Sequence, residues 1–223
     1  MKFLQESLLG SVEILIVDDH HLLLNGTIDL VRDRFPEARA IATQTVEETL
    51  DRLAKRVPDL VIADLSIPDT PVTQAHTSNG LKLLTALMEQ YADLNVMVQS
   101  SHIKSLVRIL PDIENHQGGF TVADKSLPVS EFVTRMEWAI AGVTHTKDLQ
   151  SDLEFKPEWL ETLELAFKEG LQDKAIAQKM YKSERSIRHY WTKIQDALGI
   201  YPEDGKNIRA VTQIRARELG LLD

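Results

Sequence analysis

The sequence predicts an α/β domain with a doubly wound (βα)5 parallel sheet, followed by an all-α domain that contains a helix-turn-helix. In the first two thirds of the chain, short apolar runs alternate with amphipathic helices, which is the pattern of parallel βαβ units. The last third has only helical periodicity, with a very short turn between two of its helices.

Length and composition restrict the class of protein. The 223 residues suggest one or two domains and are ample for a proper core. No apolar run approaches the ~20 residues that span a membrane, and the N-terminus is too short and too acidic for a signal peptide. Without cysteine, the chain has no disulfide framework, thiolate metal site or cysteine nucleophile. We therefore expect a cytoplasmic protein that does not bind a membrane.

Charge is distributed unevenly along the chain. Residues 1–145 contain 12 Lys and Arg against 20 Asp and Glu, a net charge of −8. Residues 171–217 contain 10 against 5, a net charge of +5. Although the whole chain carries −9, this asymmetry favours a second domain that binds nucleic acid.

The stretch Val57–Pro68, VPDLVIADLSIP, carries the central strand and one carboxylate. Apolar residues surround Asp64, as in a strand that is buried on both faces of a parallel sheet. Burying a carboxylate costs free energy, but at the carboxyl end of such a strand the sheet opens into a ligand crevice. Asp64 is thus either a site residue or an aspartate that caps a helix or lies in a loop.

A second apolar run, Val12–Val17, ends in Asp18 and Asp19 and favours the site. Three carboxylates after two buried strands can converge on one hard cation, and Mg²⁺ prefers oxygen ligands. One carboxylate can then attack a phosphoryl group while the cation neutralises its oxygens. Strands at Asn95–Ser100 and Gly118–Lys125 end near a hydroxyl and an ammonium, which can hold phosphoryl oxygens.

The other elements of the first domain follow from local signals. A short strand is predicted at Ala38–Thr43, and Pro111 is expected to end the fourth helix. The predicted helices of this domain are Leu22–Phe35, Val46–Arg56, Gly80–Tyr91, Ile103–Leu110 and Pro128–Ala141.

The helices of the second domain are predicted from their ends as well as from periodicity. Pro157 begins one helix, Gly170 stops it, and Ser183 caps the longest. The predicted ranges are Pro157–Glu169, Asp173–Met180, Ser183–Leu198 and Asn207–Leu219. The second and third form a helix-turn-helix or part of a small helical bundle, and the basic residues clustered around them favour the former.

Five groups of the first domain occur in an order typical of one family. They resemble the receiver domain of bacterial two-component response regulators, and the run VDDHHLLLNG resembles the start of its NarL/FixJ subfamily. These groups are Asp18 and Asp19, Asp64 with Pro68 four residues later, Ser100, and Lys125.

This resemblance implies a phosphorylation site. Asp64 would accept a phosphoryl group from a sensor histidine kinase, Ser100 would follow that group, and Lys125 would pair with it. The implied Mg²⁺ ligands are Asp18, Asp19, Asp64 and the main-chain carbonyl of Ser66. His20 and His21 point apart, as consecutive residues do, so they are not expected to form a pair of metal ligands.

Three features depart from the pattern of the family, and one of them is a spacing from Ser100 to Lys125 that is about three residues longer than usual. Between Pro68 and Gly80 the chain is about eight residues longer than usual, and its Thr, Pro, Ser and Asn content predicts a loop at 69–79. This loop is either a lid, a partner contact or a tolerated surface insertion. Val122 stands where the family has an aromatic residue that reports phosphorylation; Phe120, on the same strand face, could substitute.

The segment from Gly170 to Ile200 resembles the LuxR-type helix-turn-helix that ends NarL/FixJ regulators. The resemblance implies that Ser183–Leu198 enters the major groove of double-stranded DNA. Arginine can read guanine, while lysine contacts with phosphate give affinity without sequence information. The residues implied to face bases are Arg188, His189 and Thr192, and those near phosphates are Lys174, Lys182, Arg185 and Lys193.

The two resemblances cover nearly the whole chain and imply its organisation. We expect a leader at 1–10, a receiver domain at 11–143, a linker at 144–156 and a helix-turn-helix domain at 157–223. The expected function is transcription regulation gated by Mg²⁺-dependent phosphorylation of Asp64. A homodimer is expected when active, because paired DNA half-sites need two recognition helices.

Two other hypotheses remain open from the residues. The first is a regulator of the same architecture that responds to a protein partner or ligand instead of phosphate. The second is an Mg²⁺-dependent phosphohydrolase with an aspartyl nucleophile, which the acid cluster allows. The helix-turn-helix argues against the second, so we do not expect an enzyme.

Overall fold

The computed structural model describes residues 12–146 and 155–222. The predicted leader at 1–10 lies outside the described residues, as do positions 147–154 of the predicted linker. The described chain forms two compact units, the first built on a parallel sheet and the second helical. The predicted fold class is therefore confirmed.

Five parallel strands form the sheet of the first unit, in the order β2-β1-β3-β6-β7. Each is an apolar run bounded by turns, and β1 and β3 are buried along their whole length. Strand order reverses between β1 and β3, where sheets of this type bind ligands. The strands are β1 (Glu13–Val17), β2 (Arg39–Thr43), β3 (Leu60–Ala63), β6 (Asn95–Ser100) and β7 (Phe120–Asp124).

Helices connect these strands and cover the sheet. The hydroxyl of Thr45 caps the second helix by accepting the N–H of Glu48 at 3.1 Å. Leu24 and Val31 of the first helix share a buried cluster with Phe132 and Met136 of the last. The helices are α1 (His21–Arg34), α2 (Val46–Lys55), α3 (Thr77–Gln90), α4 (Leu110–Asn115) and α5 (Val129–Ile140).

The predicted loop at 69–79 was wrong in part. Two short strands, β4 (Ile67–Pro68) and β5 (Ala75–His76), pair in antiparallel fashion, and α3 already begins at Thr77. Between the strands, Thr73 holds a tight turn, because its hydroxyl donates to the carbonyl of Thr70 at 2.9 Å and accepts the N–H of Thr70 at 2.9 Å. The inserted segment is thus a small β-hairpin.

The prediction that Pro111 ends a helix was also wrong. A 3₁₀ helix covers Ile103–Ile109, and α4 follows with Pro111 in its first turn. Proline is tolerated there because the first N–H groups of a helix have no partner within the helix. Pro111 therefore lies near the start of a short helix.

Four α-helices lie between residues 155 and 222, the part of the second domain that the structure describes. Ser183 caps the third of them, where its hydroxyl accepts the N–H of Ser186 at 3.1 Å, and Gly199 ends it with a φ of 66°. The core contains Leu163, Ile187 and Ile194, all fully buried. The helices are α6 (Pro157–Phe167), α7 (Asp173–Lys179), α8 (Glu184–Leu198) and α9 (Ile208–Glu218). Among the described residues, no helix has the length and apolar character to cross a membrane.

Candidate functional site

Strand register brings two of the predicted carboxylates together. Val17 of β1 pairs with Ala63 of β3, so Asp18 and Asp64 follow at neighbouring strand ends. The N–H of Asp64 also donates to the carbonyl of Val17 at 2.8 Å. Both side chains are buried, with about 4% and 3% of their surface exposed. The carboxyl edge of the sheet thus places two carboxylates side by side, which are stable there only with cations or hydrogen bonds.

Lys125 reaches the same point from the end of β7. Its N–H donates to the carbonyl of Ser100 at 3.3 Å, which fixes the backbone across the sheet. Its ammonium then donates to Asp64 Oδ2 at 2.8 Å and to Asp18 Oδ2 at 3.0 Å. One lysine therefore bridges both buried carboxylates.

The environment of Lys125 favours its charged form. Burial acts to lower the pKa of the ammonium, but hydrogen bonds and Coulomb attraction from Asp64 and then Asp18 outweigh it, so the pKa is raised above 10.5. Lys125 is therefore a fixed positive charge at neutral pH. Such a charge is suited to hold an anionic oxygen next to Asp64.

Each acidic side chain of the pocket retains an oxygen that Lys125 does not contact. Asp64 Oδ1 is buried and has no hydrogen-bond partner, and the same holds for Asp19 Oδ1. Ligand atoms from Asp18, Asp19, His20 and Asp64 all lie within 4.8 Å of one another. An unpartnered buried carboxylate oxygen is costly unless a cation satisfies it. The three acids offer the hard oxygen donors that Mg²⁺ prefers, so the residues fit this ion.

His20 is a neighbour of the acids that the sequence argument set aside. Its ring Nδ1 lies 2.8 Å from Asp19 Oδ1 and 3.4 Å from Asp18 Oδ1. The ring of His21 turns elsewhere, with Nδ1 3.0 Å from the side-chain amide nitrogen of Gln44. The two histidines thus diverge, as expected of consecutive residues, but His20 alone joins the acid cluster.

The loop after β3 is held against α3 by a glycine. The N–H of Gly80 donates to the carbonyl of Leu65 at 3.2 Å, and a Cβ at position 80 would lie 2.2 Å from that oxygen. Asn79 also donates from its side chain to the carbonyl of Ile67 at 3.0 Å. Ser66, whose carbonyl is a predicted Mg²⁺ ligand, lies half-buried inside this loop. The loop beside Asp64 is therefore tightly fixed by its main chain.

Ser100 and the altered strand β7 lie beside this edge of the sheet. The Ser100 side chain is fully buried and its hydroxyl accepts the N–H of His102 at 3.2 Å. Val122 and Phe120 are both fully buried, in register with Val98 and Val96 of β6. Phe120 thus shares the strand face of Val122, as predicted, while its role as a substitute aromatic stays a prediction.

In the helical unit, α8 has one buried face and one polar face. Ile187, Trp191 and Ile194 are buried at helical spacing, which leaves the opposite side exposed. Tyr181, in the turn before α8, has a φ of 54° and is 95% exposed. All seven residues predicted to contact DNA are exposed: Lys174, Lys182, Arg185, Arg188, His189, Thr192 and Lys193.

An ion pair that the sequence argument missed links three helices of this unit. Arg209 of α9 donates to both oxygens of Asp173 at the start of α7, at 3.0 and 3.1 Å. The Trp191 indole N–H of α8 donates to the same carboxylate at 3.0 Å, and the Arg209 guanidinium lies 3.5 Å from the Trp191 ring centroid. Burial lowers the pKa of Arg209, and Asp173 offsets part of that effect. The exposed face of α8 is thus positioned by contacts on its other side.

Comparison with known proteins agrees with this architecture. Residues 14–110 match the model of the response regulator receiver domain. The DNA-binding transcriptional activator DevR/DosR of Mycobacterium tuberculosis is 23% identical over 222 residues, which are 94% of this chain and 98% of that protein. The transcriptional regulatory protein LnrK of Bacillus subtilis is 21% identical over 207 residues, 85% of this chain and 91% of the relative.

Solved structures share the fold over nearly the full length. A structure of two RcsB dimers bound to two parallel DNAs matches with a TM-score of 0.62 at 18% identity, covering 94% of this chain and 98% of RcsB. RcsB from Salmonella enterica serovar Typhimurium, bound to promoter rprA in the presence of phosphomimetic BeF3-, matches with a TM-score of 0.56 at 19% identity, covering 92% and 99%. Residues 14–110 are therefore similar to a response regulator receiver domain, and the chain shares its fold with these solved structures.

Proposed function

We propose that this chain is a DNA-binding transcription regulator of a two-component system, gated by phosphorylation of Asp64. The carrying observation is the pairing of Lys125 with Asp64 Oδ2 at 2.8 Å, beside an Asp64 Oδ1 that is buried without a partner. A carboxylate with one oxygen fixed by a cation and one uncommitted is arranged to act as a nucleophile. The donor would be a sensor histidine kinase.

The proposed reaction is a phosphoryl transfer from histidine to aspartate. A carboxylate oxygen of Asp64 forms the bond to phosphorus while the phosphorus–nitrogen bond of the phosphohistidine breaks, and the imidazole nitrogen keeps the electron pair. Lys125 balances charge on the phosphoryl oxygens, and the Ser100 hydroxyl donates a hydrogen bond to one of them.

Asp18, Asp19, Asp64 and the carbonyl of Ser66 would hold Mg²⁺. When bound, this ion supplies positive charge that neutralises phosphate oxygens. Asp18 is kept in place by Lys125 and by the N–H of His20, which donates to its Oδ1 at 2.8 Å. Asp64 is buried, which would limit the access of bulk water to an acyl phosphate formed there.

DNA binding is proposed for the second unit, because DevR/DosR carries that name and RcsB is bound to DNA in its structures. The seven exposed residues of α7, α8 and their turn supply basic charge and hydrogen-bonding groups. Phosphorylation would shift a two-state receiver domain and favour a homodimer, which presents two copies of α8 to paired half-sites. A cytoplasmic location follows from this function.

Intact-mass measurement tests the phosphorylation step. The full chain is incubated with Mg²⁺ and a small phosphodonor, alongside Asp64→Asn and an exposed control, Asp29→Asn. We expect one phosphoryl adduct on the wild-type protein and on the control, none on Asp64→Asn, and a higher dimer fraction in the modified samples.

The outcomes discriminate between the hypotheses. An adduct that raises the dimer fraction supports the gated regulator. No adduct with two different donors would contradict it and favour the phosphorylation-independent regulator, for which Val122 in place of an aromatic residue is the observation to pursue. An adduct without any change in dimerisation or DNA affinity would overturn the gating.

A further inference from the structure

We propose that His20 is a nitrogen ligand in the acid pocket, so that the pocket binds transition-metal ions such as Co²⁺ and Ni²⁺ more tightly than Mg²⁺. This inference rests on the proposed function, because it concerns the same cation site, and it goes beyond it in naming a ligand and a metal class. It follows from the spacing of His20, Asp19 and Asp64.

The oxygens of the pocket divide into two sets. Lys125 occupies Oδ2 of Asp18 and Oδ2 of Asp64. The second set is Asp64 Oδ1 and Asp19 Oδ1, which are buried and accept no hydrogen bond. The ammonium and a cation can therefore be held at the same time, on different oxygens of the same carboxylates.

His20 faces the second set. Its Nδ1 lies 2.8 Å from Asp19 Oδ1, yet Asp19 Oδ1 has no hydrogen-bond partner. Two adjacent ligands of an octahedral ion with bonds of about 2.1 Å are about 3 Å apart. The separation of this nitrogen and oxygen is thus the separation of two neighbouring ligands of one ion.

The backbone and ring of His20 are suited to this role. Its N–H donates to Asp18 Oδ1 at 2.8 Å, which anchors the residue in the pocket. The position precedes α1, but the side chain makes no capping hydrogen bond. The ring is 61% exposed, so it can adjust to an ion without displacing the core.

The chemistry of the ligand sets the metal class. Mg²⁺ prefers oxygen and keeps several waters, so an imidazole adds little to its affinity. Imidazole suits Co²⁺, Ni²⁺ and Zn²⁺, which also bind mixed nitrogen and oxygen sites more tightly than lighter divalent ions do. A site with three carboxylates and one imidazole is therefore expected to bind Co²⁺, Ni²⁺ and Zn²⁺ more tightly than Mg²⁺.

Titration of the full chain tests this inference. The affinities of Co²⁺ and Mg²⁺ are measured by calorimetry, and the Co²⁺ absorption bands report its ligands. The variants are His20→Ala, Asp64→Asn and the matched control His21→Ala, whose ring contacts Gln44. We expect His20→Ala to lower the affinity for Co²⁺ at least ~10-fold and to shift the Co²⁺ absorption bands. The affinity for Mg²⁺ should change less than about twofold. His21→Ala should change neither.

Asp64→Asn places the binding site and separates the two proposals. If Asp64→Asn binds neither ion, the wild-type protein binds both ions in the acid pocket. If the Co²⁺ absorption bands persist in Asp64→Asn, Co²⁺ is bound by other histidines and the inference is overturned. If Mg²⁺ binding depends on Asp64 but Co²⁺ affinity and bands are the same in wild type and His20→Ala, only the histidine ligand is refuted. If neither ion binds through Asp64, the Mg²⁺ site of the proposed function fails as well.

Discussion

Lys125 Nζ lies 2.8 Å from Asp64 Oδ2, although 61 positions separate the two residues in the chain. The contact forms because β3 and β7 end at the same edge of the sheet, with β6 between them. It joins the proposed nucleophile to the proposed phosphoryl-binding cation. The same ammonium also holds Asp18 at 3.0 Å, so its state affects the whole pocket.

The first prediction concerns pH. Because the folded pKa of Lys125 is raised above 10.5, its contribution to stability is fully present below the pKa of an unfolded lysine and is lost as pH rises through the folded value. The difference in free energy of unfolding between wild type and Lys125→Met should be constant from about pH 7 to about pH 9 and shrink above about pH 10.5. Urea unfolding across this range measures it.

Lys55→Met is the matched control for that experiment, because Lys55 is an exposed residue at the end of α2. Its stability difference from wild type should stay near zero at every pH. A Lys125 difference that already declines below about pH 9 would contradict the raised pKa.

The second prediction concerns the close approach of Gly80 to the loop after β3. Gly80→Ala would put a Cβ 2.2 Å from the Leu65 carbonyl oxygen, so the loop beside Asp64 must move. The free energy of unfolding should fall by about 1–3 kcal/mol. Gly26→Ala, in α1 with nothing within 4 Å of its Cβ, should instead raise it by about 0.5–1 kcal/mol. Thermal unfolding of both variants tests the pair.

The third prediction concerns a buried glutamate at the opposite edge of the sheet. Glu13 is 2% exposed, with Arg52 at 2.6 Å and Arg39 and Arg56 each at 3.5 Å. Glu13→Gln leaves this cluster of cations without its central charge and should lower the free energy of unfolding by about 3 kcal/mol. Arg39→Gln, at a side chain that is 65% exposed, should cost less than about 1 kcal/mol. An equal decrease in the free energy of unfolding of the two variants would contradict this prediction.

The fourth prediction concerns the contact of Arg209 with Asp173 and Trp191. Arg209→Met should lower the free energy of unfolding of the second unit by about 1 kcal/mol. Tryptophan fluorescence should change as well, since the guanidinium lies 3.5 Å from the Trp191 ring centroid. Arg215→Met is the control, because its exposed pair with Glu218 should count for no more than about 0.5 kcal/mol. An unchanged spectrum for Arg209→Met would disprove the contact.

The fifth prediction separates two roles on the exposed face of α8. Arg185→Ala should lower the affinity for all DNA sequences by the same factor. It should also reduce the slope of log affinity against log salt concentration by about 0.9. Arg188→Ala should relax preference at one base position, with about 1–3 kcal/mol of discrimination lost. Lys55→Ala should alter neither quantity. Binding to a set of single-base operator variants at several salt concentrations distinguishes them, and an equal loss on every sequence would show that Arg188 contacts only phosphate.

The local signals of the chain predicted most of its elements. Apolar runs that end in Asp18, Asp64 and Ser100 indicated buried strands. In the structure these three residues lie at the same edge of the sheet. Ser183 and Gly199 marked the ends of α8 correctly. These signals are readable because strand burial and helix capping depend on residues within one or two turns of each other.

The hairpin of β4 and β5, the position of His20 and the Asp173–Trp191–Arg209 contact were not predicted. The hairpin forms from strands of only two residues each, too short for any periodic pattern. Asp173 meets Trp191 and Arg209 across 18 and 36 positions. Such contacts depend on how helices pack, which a single sequence does not display.

The sequence by itself therefore determined the two-domain order, the strands and their acidic ends, and the polar face of α8. Only the tertiary structure decided that Lys125 bridges Asp18 and Asp64, that Asp64 Oδ1 accepts no hydrogen bond, and that His20 Nδ1 lies 2.8 Å from Asp19 Oδ1. The reason is physical: periodicity and capping are local, whereas the pairing of buried charges depends on strand register and side-chain rotamers that are set when the sheet and its helices pack together.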